Sequence, residues 1–443
     1  MFKARHYYLP AAIAVFIVLS FLFAPHFDAS QNSSDKTNAP EELAKKTSQT
    51  DSDVIPVHPV ACKPSLGFDN YRTEKSFAIN PENPNEMYVA VEYKGLYKSA
   101  DGGKTWNFSG NGLKAWPRED DPELPCYGLH FYLHFDPANP ARILLPGGSA
   151  PGKISELRFQ TGGLHESTDG GKSWHQLFNG DMNAYTTETV VDPRNPEIIY
   201  VGTAALPQSN TEADPNVIFV TKGVVYKTVD RGRTWKELVT GLIPQLRTSG
   251  LFMDPADSNH LLLATIALRV GTDAGKKVSP EQWGIMQTKN GGDTWARLES
   301  TAGIAVRFID VSSTNFSHIF ISGDLSGSDK AIYSLDGGET FNDLRTQVNF
   351  AKYDPHDQTG MRLLGFSVYA QPDDIYESLD GGKTWNAIGK LPSEVTDDYR
   401  VSNIVWDPKD KGVVYLNGDM GRVWKSADRG KTWDLLLSVE KLD

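Results

Sequence analysis

Three residues that are able to bind an anion occupy equivalent positions in the sequence. Each lies seven positions before the aspartate of an Asp-Pro turn: Tyr185 before Asp192, Arg247 before Asp254 and Arg400 before Asp407. Converging guanidinium groups bind a carboxylate or a sulfate bidentately. The spacing therefore predicts a site for a carboxylate, a sulfate or an acidic peptide, with Arg307 and Tyr399 close by. In the alternative interpretation the arginines pair with loop carboxylates such as Asp397 and Asp398.

Acidic residues in the same part of the chain are weak candidates for glycoside hydrolysis, which uses two carboxylates about 5–10 Å apart. These candidates are Glu188, Glu156, Glu212 and Asp214. Their spacing singles out no pair, and acidic residues in exposed loops are usually just solvated. His130 and His134 are four residues apart in a predicted strand, where their side chains do not converge as they would on a helix. We therefore predict neither a metal site nor a cofactor.

One octapeptide motif recurs seven times and divides the chain into units. Its copies are SADGGKTW (99–106), STDGGKSW (167–174), TVDRGRTW (228–235), TKNGGDTW (288–295), SLDGGETF (334–341), SLDGGKTW (378–385) and SADRGKTW (426–433). Glycine supplies positive φ, and the Asp carboxylate accepts backbone N–H bonds across the turn. We therefore predict turn residues, not catalytic carboxylates, at Asp101, Asp169, Asp230, Asp336, Asp380 and Asp428.

The aromatic residue that ends each octapeptide begins the next strand. We predict that it lies buried between neighbouring sheets, where a large apolar area leaves water. This prediction covers Trp106, Trp174, Trp235, Trp295, Trp385 and Trp433. A strand, a turn and a second strand precede each octapeptide, as in VVDPRNPEIIYVG (190–202), so that each unit supplies four strands.

The octapeptides resemble the Asp-box (BNR) repeats of sialidases, xyloglucanases, sortilin/Vps10 domains and photosystem II assembly propellers. The resemblance extends from about Phe68 to the C-terminus and implies an all-β fold, a seven-bladed β-propeller with four-stranded antiparallel blades. Two features of the enzymes are missing. The Arg-Ile-Pro signature of sialidases is replaced by TEKSFAINP (73–81), and xyloglucanases usually use two propellers, whereas this chain has repeats for one.

The up-and-down strand order predicts that the two ends of each blade differ. The first turn of each unit and the octapeptide lie at one end, while the loop between the second and third strands lies at the other. The latter end carries every long connection: 110–128, 146–163, 203–222 and 268–283. Long loops on a rigid scaffold commonly carry binding and catalytic residues. We therefore predict that ligands bind at the end opposite the octapeptides.

The N-terminus indicates export. An apolar run over 9–24 follows Lys3 and Arg5, and its flanks are poor signal-peptidase sites. We predict a signal anchor or signal peptide over 1–29, a disordered stalk over 30–60 and the propeller over 61–443. The protein is thus expected outside the cytoplasm, either held by an N-terminal transmembrane helix or secreted after cleavage. With a net charge of −12 and no basic block, nucleic acid is not an expected partner.

The only two cysteines are Cys62 and Cys126. Export places them in an oxidising compartment, and both precede strands that enter neighbouring blades, so we predict a disulfide between them. The alternative is two separate buried thiols.

Taken with the resemblance, these observations predict a monomeric scaffold for ligand binding or assembly, whose ligand is a protein or an acidic glycan. The alternative is a glycoside hydrolase or lyase that acts on an acidic glycan through carboxylates at the same end.

Overall fold

The structure is a computed structural model. It describes residues 76–91, 93–117, 123, 125–128, 132–147, 163–178, 185–204, 223–243, 246–267, 283–325, 328–344, 346–368, 373–395, 401–419 and 421–442. The chain separates into two compact units, Met1–Pro56 and Val57–Asp443. The predicted anchor and stalk lie outside the described residues. Among the residues that are described, no helix combines the length and apolar character that crossing a bilayer requires.

Antiparallel strands make up nearly all of the regular structure, and in most sheets the strands lie side by side in chain order. The first sheet contains β1 (Ala78–Ile79), β2 (Met87–Val91), β3 (Gly95–Ser99) and β4 (Asn107–Phe108). A separate hairpin follows, with β5 (Ala115–Pro117) and β6 (Pro125–Tyr127). The second sheet contains β7 (His134–Asp136), β8 (Asn139–Gly147), β9 (Gly163–Ser167) and β10 (His175–Phe178).

The next eight strands form one sheet. They are β11 (Tyr185–Val191), β12 (Ile199–Ala204), β13 (Val225–Thr228), β14 (Lys236–Leu238), β15 (Leu246–Asp254), β16 (Asp257–Ala267), β17 (Gly284–Thr288) and β18 (Ala296–Arg297). A 3-10 helix over Glu299–Thr301 follows.

Three further four-stranded sheets complete the chain, and a 3-10 helix over Val439–Lys441 ends it. Their strands are β19 (Ile304–Val311), β20 (Ile319–Leu325), β21 (Ser328–Ser334) and β22 (Asn342–Asp343); β23 (Phe350–Tyr353), β24 (Leu363–Phe366), β25 (Asp374–Ser378) and β26 (Asn386–Lys390); and β27 (Val401–Trp406), β28 (Val414–Gly418), β29 (Arg422–Ser426) and β30 (Asp434–Leu437).

The sheet count differs from the expected seven separate sheets. Five four-stranded sheets are separate, and the eight-stranded sheet joins β11–β14 to β15–β18 through a single residue pair, Ala204 with Arg247. The reason lies in the length of β15. It begins at Leu246, early enough to reach the last residue of β12 as well as its own partner β16.

Neighbouring sheets pack face to face, and the first sheet packs against the last. Phe77 and Tyr415, from opposite ends of the chain, have ring centroids 5.4 Å apart in one apolar cluster. Lys94 Nζ donates to the carbonyl of Leu442 at 2.9 Å. The first strands also contact one another, β11 with β15, β15 with β19 and β19 with β23. The fold is therefore an all-β propeller with four-stranded antiparallel blades, in which the first strands are innermost.

Burial follows this arrangement. Second strands such as β2, β12 and β28 are buried at every residue, because their sheets have neighbours on both faces. Outer strands such as β4 are exposed. A small residue in the octapeptide allows the close approach of two sheets. Gly171 has φ 82°, and a Cβ there would lie 2.8 Å from the Tyr88 ring of the preceding sheet.

The prediction that the octapeptide tryptophans are buried holds for two of the six. Trp174 and Trp295 are 4% and 5% exposed, whereas Trp106, Trp235, Trp385 and Trp433 are half-buried. The difference comes from the connection after the preceding sheet. The backbone N–H of Trp174 donates to Asn111 O at 2.8 Å and that of Trp295 to Thr240 O at 2.9 Å, so a segment of this connection lies against each of these two residues.

Candidate functional site

The octapeptide aspartates are engaged within their own turns. The Asp230 carboxylate accepts the Thr234 hydroxyl at 2.6 Å, the Thr234 backbone N–H at 2.9 Å and the Thr228 hydroxyl at 2.7 Å. The Thr234 bonds, the hydroxyl first, lower the pKa of Asp230 to about 2. The same bonds recur at Asp101, Asp336 and Asp428. These carboxylates are ionised structural acceptors, as predicted for turn residues.

The octapeptides share one end of the sheets with the first turn of each unit. A backbone N–H near the middle of each octapeptide donates to a carbonyl of that turn, as Gly170 does to Ala141 at 2.9 Å and Arg231 to Glu197 at 3.0 Å. The remaining connections therefore lie at the other end. In the first sheet this end carries the hairpin β5–β6, where Tyr93 N–H donates to Tyr127 O at 2.9 Å.

A β-bulge interrupts four of the innermost strands at one equivalent position, five residues before the turn residue. The register shifts around Thr187 in β11, Ser249 in β15, Arg307 in β19 and Ser402 in β27. A bulge leaves one residue without a partner across the ladder and redirects its side chain. The equivalent residue beside β23 is Asn349. All five are polar, and they lie near the end of the strands away from the octapeptides.

Several polar residues at this level bind to neighbouring chain segments. Ser249 Oγ donates to Val306 O of the next inner strand at 2.7 Å, and the hydroxyls of Thr187 and Thr248 bond to each other. Ser402 Oγ donates to Asn417 O of its own sheet at 3.1 Å. Arg307 is exposed. Thr187 and Ser249 therefore lie where neighbouring inner strands are joined, Ser402 bonds within its own sheet, and Arg307 is the charged member of the set.

A pocket of about 150 Å³ opens beside Arg307. It lies between the sheets β19–β22 and β23–β26, and its lining includes Arg307, Ser322, Lys330, Asn349, Phe350 and Val368. Phe350 forms part of an aromatic stack with Phe308 and Phe366, at centroid distances of 4.1 and 4.9 Å. The pocket thus joins two cationic side chains, an amide and a hydroxyl to an apolar floor.

The amide of Asn349 has a defined orientation. Its Oδ1 accepts the backbone N–H of Val368 at 2.8 Å, which assigns the other amide atom as Nδ2, a donor. Lys330 Nζ lies 3.9 Å from Asp343 Oδ2, and their side chains are 46% and 68% exposed. A pair so exposed is worth little free energy. The described lining of the pocket has donors and no carboxylate.

The structure describes only part of the predicted site. Glu188 lies on β11 opposite Gly202, and Arg247 lies on β15 opposite Ile266; both are half-buried. For Tyr185 the backbone is described, paired with Ala204. The remaining candidates, Glu156, Glu212, Asp214, Tyr399 and Arg400, lie outside the described residues.

Among the predicted residues that the structure describes, Arg307 lies in the lining of this pocket. Sequence reasoning missed Ser322, Lys330 and Asn349. Asn349 carried a usable signal, because it stands five residues before Asp354 as Arg307 stands five before Ser312.

Two buried ionic groups support the octapeptide end. Arg142, 3% exposed, bonds to Glu166 at 2.5 Å and to Asp136 at 3.1 Å. Arg362 is held likewise by Asp354 and by Glu377, the latter at 2.7 Å. Each arginine links the first turn of its unit to the third strand of the same sheet, and its role is therefore structural. No cluster of metal-ligating side chains occurs among the described residues.

Cys126 is fully buried in β6, and the described part of the chain has no free cysteine. Cys62 lies outside the described residues, so the disulfide between Cys62 and Cys126 stays a prediction.

No family model matches the chain. A probable oligoxyloglucan-reducing end-specific xyloglucanase of Neosartorya fischeri is 28% identical over 247 residues, which covers 49% of this chain and 26% of the relative. The chain therefore matches about a quarter of that protein's length.

Two solved structures are similar in fold. An ancestral GH74 enzyme has a TM-score of 0.55 at 15% identity, over 84% of this chain and 46% of that one. YCF48 from Cyanidioschyzon merolae has a TM-score of 0.50 at 14% identity, over 81% of this chain and 96% of that one. At these identities the likeness is one of fold, the β-propeller.

Proposed function

We propose that this chain is a seven-bladed Asp-box propeller that acts as a ligand-binding or assembly scaffold outside the cytoplasm. Support for seven blades comes from the seven octapeptides, each between the third and fourth strands of a group of four. One residue pair joins the two halves of the eight-stranded sheet, so these halves are interpreted as two blades. The apolar run near the N-terminus supports a membrane tether.

The observation that carries the proposal is the difference between the two ends of the sheets. Octapeptide side chains bond within their own turns, as at Asp230, while the opposite end presents a pocket of donors that includes Arg307, Lys330 and Asn349. Charge-assisted hydrogen bonds from cationic side chains such as Arg307 and Lys330 suit an acidic ligand. The bound partner is thus proposed to be a protein, or an acidic glycan, that meets the end with the long loops.

Site-specific photocrosslinking in cells that produce the full chain tests this. A benzophenone amino acid is placed at Lys114 or Ser393, two exposed positions at the end of the sheets opposite the octapeptides, which we call the pocket end. For comparison, it is placed at Lys104 or Lys172, two exposed positions in the octapeptides. We expect an adduct of discrete mass from the first two positions and none from the second two. Equal labelling at both ends, or labelling from the octapeptides alone, contradicts the proposal.

The second candidate is a glycoside hydrolase or lyase, which the similarity to a xyloglucanase favours. The purified full chain is incubated with xyloglucan and with acidic polysaccharides, and new reducing ends are measured. Activity that disappears in Glu188→Gln would establish the enzyme and assign a role to that carboxylate. We expect no release of reducing ends.

A further inference from the structure

We infer that a groove between the first two sheets binds a uronate, a sugar residue that carries a carboxylate, of an acidic glycan. The groove has a volume of about 250 Å³ and lies between β4 and the octapeptide 167–174. We call it the outer groove. It is separate from the pocket beside Arg307, and a bound sugar leaves unchanged the absence of protein adducts expected at Lys172. Its described lining includes Lys98, Asn107, Phe108, Ser109, Asn111 and Lys172.

The contact between the first two sheets, the first junction, has a counterpart built in the same way. This second junction lies between β11–β14 and β15–β18. At both junctions a tyrosine hydroxyl and a lysine ammonium of one unit donate to the same glycine carbonyl of the next octapeptide, at 2.9–3.1 Å. The groups are Tyr88 and Lys98 with Gly170, and Tyr200 and Lys227 with Gly291. Residues at equivalent positions of the two junctions can therefore be compared directly.

The two junctions differ at the residue after the first octapeptide and at the sixth residue of the next one. In the second junction these residues are Lys236 and Asp293, whose Nζ and Oδ1 form an ion pair at 2.9 Å. In the first junction they are Asn107 and Lys172. Both of these are exposed, and no bond joins them in the part of the chain that the structure describes. The chain thus supplies both charges at the second junction, whereas at the outer groove this pair of positions supplies a cation alone, and a ligand that bridges the groove there supplies the anion.

The polar groups of the outer groove fit a sugar that carries a carboxylate. The Lys172 ammonium is able to donate a charge-assisted hydrogen bond to the carboxylate. The Asn107 amide contains a donor and an acceptor, as does every sugar hydroxyl. Asn111 Nδ2 donates to Lys172 O at 3.3 Å, which leaves Asn111 Oδ1 as an acceptor. An acid without hydroxyl groups would use only the ammonium and the amide donor, so the full set favours a uronate.

An exposed phenyl ring supplies the apolar part of the outer groove. Phe108 is 40% exposed, whereas Glu237 stands at the equivalent position of the second junction. Sugar rings carry C–H groups on their faces, and packing them against the phenyl ring removes apolar area from water. Sites for small molecules usually begin at about 300 Å³. With about 250 Å³, the outer groove therefore suits a single sugar residue.

Saturation-transfer difference NMR with the purified full chain tests the inference. Three probes are titrated, and each titration gives a Kd. Methyl glucuronide is the uronate, methyl glucoside has the same ring with a hydroxymethyl group in place of the carboxylate, and benzoate has a carboxylate but no hydroxyl groups. We expect methyl glucuronide to bind at least about fivefold more tightly than either of the others, because only this probe uses both the ammonium and the amides fully.

The sharpest variant copies the second junction into the first. Asn107→Lys with Lys172→Asp places the ion pair of Lys236 and Asp293 across the outer groove. We expect methyl glucuronide to bind at least about tenfold more weakly, because the new carboxylate repels that of the ligand. The unfolding midpoint should stay unchanged, since an exposed ion pair alters stability little. The bonds to the carboxylate of this turn come from serine hydroxyls and backbone N–H groups, so folding does not require the Lys172 side chain.

A single substitution isolates the charge. Lys172→Gln should weaken binding of methyl glucuronide about fivefold and leave that of methyl glucoside unchanged, because only the carboxylate uses the ammonium. Lys104→Gln is the matched control, since Lys104 is also exposed and is the sixth residue of the first octapeptide. This control should bind methyl glucuronide within about twofold of the original chain.

Several outcomes would overturn the inference. These are the absence of binding by all three probes, equal Kd values for glucuronide and glucoside, and binding of benzoate as tight as that of the glucuronide. Unchanged binding by the double variant, or equal losses in Lys172→Gln and Lys104→Gln, would place the sugar elsewhere and overturn it too. The photocrosslinks at Lys114 and Ser393 test the other end of the sheets, so none of these results bears on the proposed scaffold function.

Discussion

The two ends of the propeller blades use polar residues in opposite ways. At the octapeptide end, Asp230 accepts three hydrogen bonds from its own turn, and Arg142 is buried between two acids. At the pocket end, Arg307 and Lys330 are exposed, and Asn349 bonds through only one of its amide atoms in the bonds described here.

The two ends therefore contribute differently to stability and to binding. A buried polar group costs free energy unless it is bonded, so the saturated turns stabilise the native state. The exposed cationic side chains that line the pocket contribute little to folding. Substitutions at the octapeptide end should therefore change the free energy of unfolding, and those at the pocket should change binding.

The largest expected effect is at Trp174. Its ring is 4% exposed, and its Nε1 donates to Ser109 O of the preceding sheet at 2.7 Å. Trp174→Ala should lower the free energy of unfolding by about 3–5 kcal/mol, measured by urea denaturation. Trp235 is half-buried and bonds to Gly232 in its own turn, so Trp235→Ala should cost less. If Trp235→Ala lowered the free energy of unfolding more than Trp174→Ala, packing between sheets would not depend on how deeply this tryptophan is buried.

The predicted disulfide is the one large contribution expected at the pocket end, since Cys126 lies in the hairpin β5–β6. Closing a loop of more than about sixty residues stabilises by about 4 kcal/mol in the chain-entropy account, less any strain. Cys126→Ala should lose about that much, and Cys62→Ala should lose the same amount. Intact mass of the unreduced protein gives the direct check: two alkylatable thiols would exclude the bridge.

Substitution of two adjacent glycines tests the close contact between neighbouring sheets. Gly170 and Gly171 have φ of 71° and 82°, so alanine is strained at either position. At Gly171 the new Cβ would clash with the neighbouring sheet, 2.8 Å from Tyr88 Cε1, whereas at Gly170 its nearest atom, Lys98 Nζ, would lie at an ordinary contact distance of 3.7 Å. Gly170→Ala should cost about 1 kcal/mol and Gly171→Ala about 2–3 kcal/mol, by thermal unfolding. Equal losses would mean that φ alone requires glycine here.

Acid should weaken the octapeptide end selectively. The pKa of Asp230 is lowered from 3.8 to about 2 in the folded chain. A lowered pKa stabilises the fold above the unfolded value, and this contribution disappears as pH falls from about 4 to about 2. Asn290 makes the same turn bonds without a charge, so Asp230→Asn should fold at pH 7. Its stability should decline less than that of the original chain between about pH 4 and about pH 2, measured by denaturant titration at each pH.

The sequence predicted the repeating elements because their chemistry is local. Each octapeptide contains both the donor and the acceptor of its turn, as Thr234 and Asp230 do, and needs no distant residue to form. Strand order alone was enough to predict which end of the sheets carries the long loops. The joining of β12 to β15 did not, because it depends on how far one strand extends past its turn.

The pocket was predictable only in part for the same reason. Arg307 was singled out by its residue type, but its companions come from three other segments, at Ser322, Lys330 and Asn349. Packing of two sheets brings these segments together, and no spacing within one strand reveals that. The burial of Trp174 likewise depends on a segment that folds back, with Gly112 at φ 89° beneath the Trp174 carbonyl.

The smallest expected effect on stability is at Arg307. Its side chain is exposed on an otherwise buried strand, and exposed substitutions usually change the free energy of unfolding by less than about 0.5 kcal/mol. Arg307→Ala should therefore unfold in urea with the midpoint and slope of the original chain. Asn349→Asp keeps the oxygen that accepts the Val368 N–H and should also leave the midpoint unchanged. A loss above about 1 kcal/mol for Arg307→Ala would instead make Arg307 a structural residue of the bulge, and the two ends would then not differ in the way described.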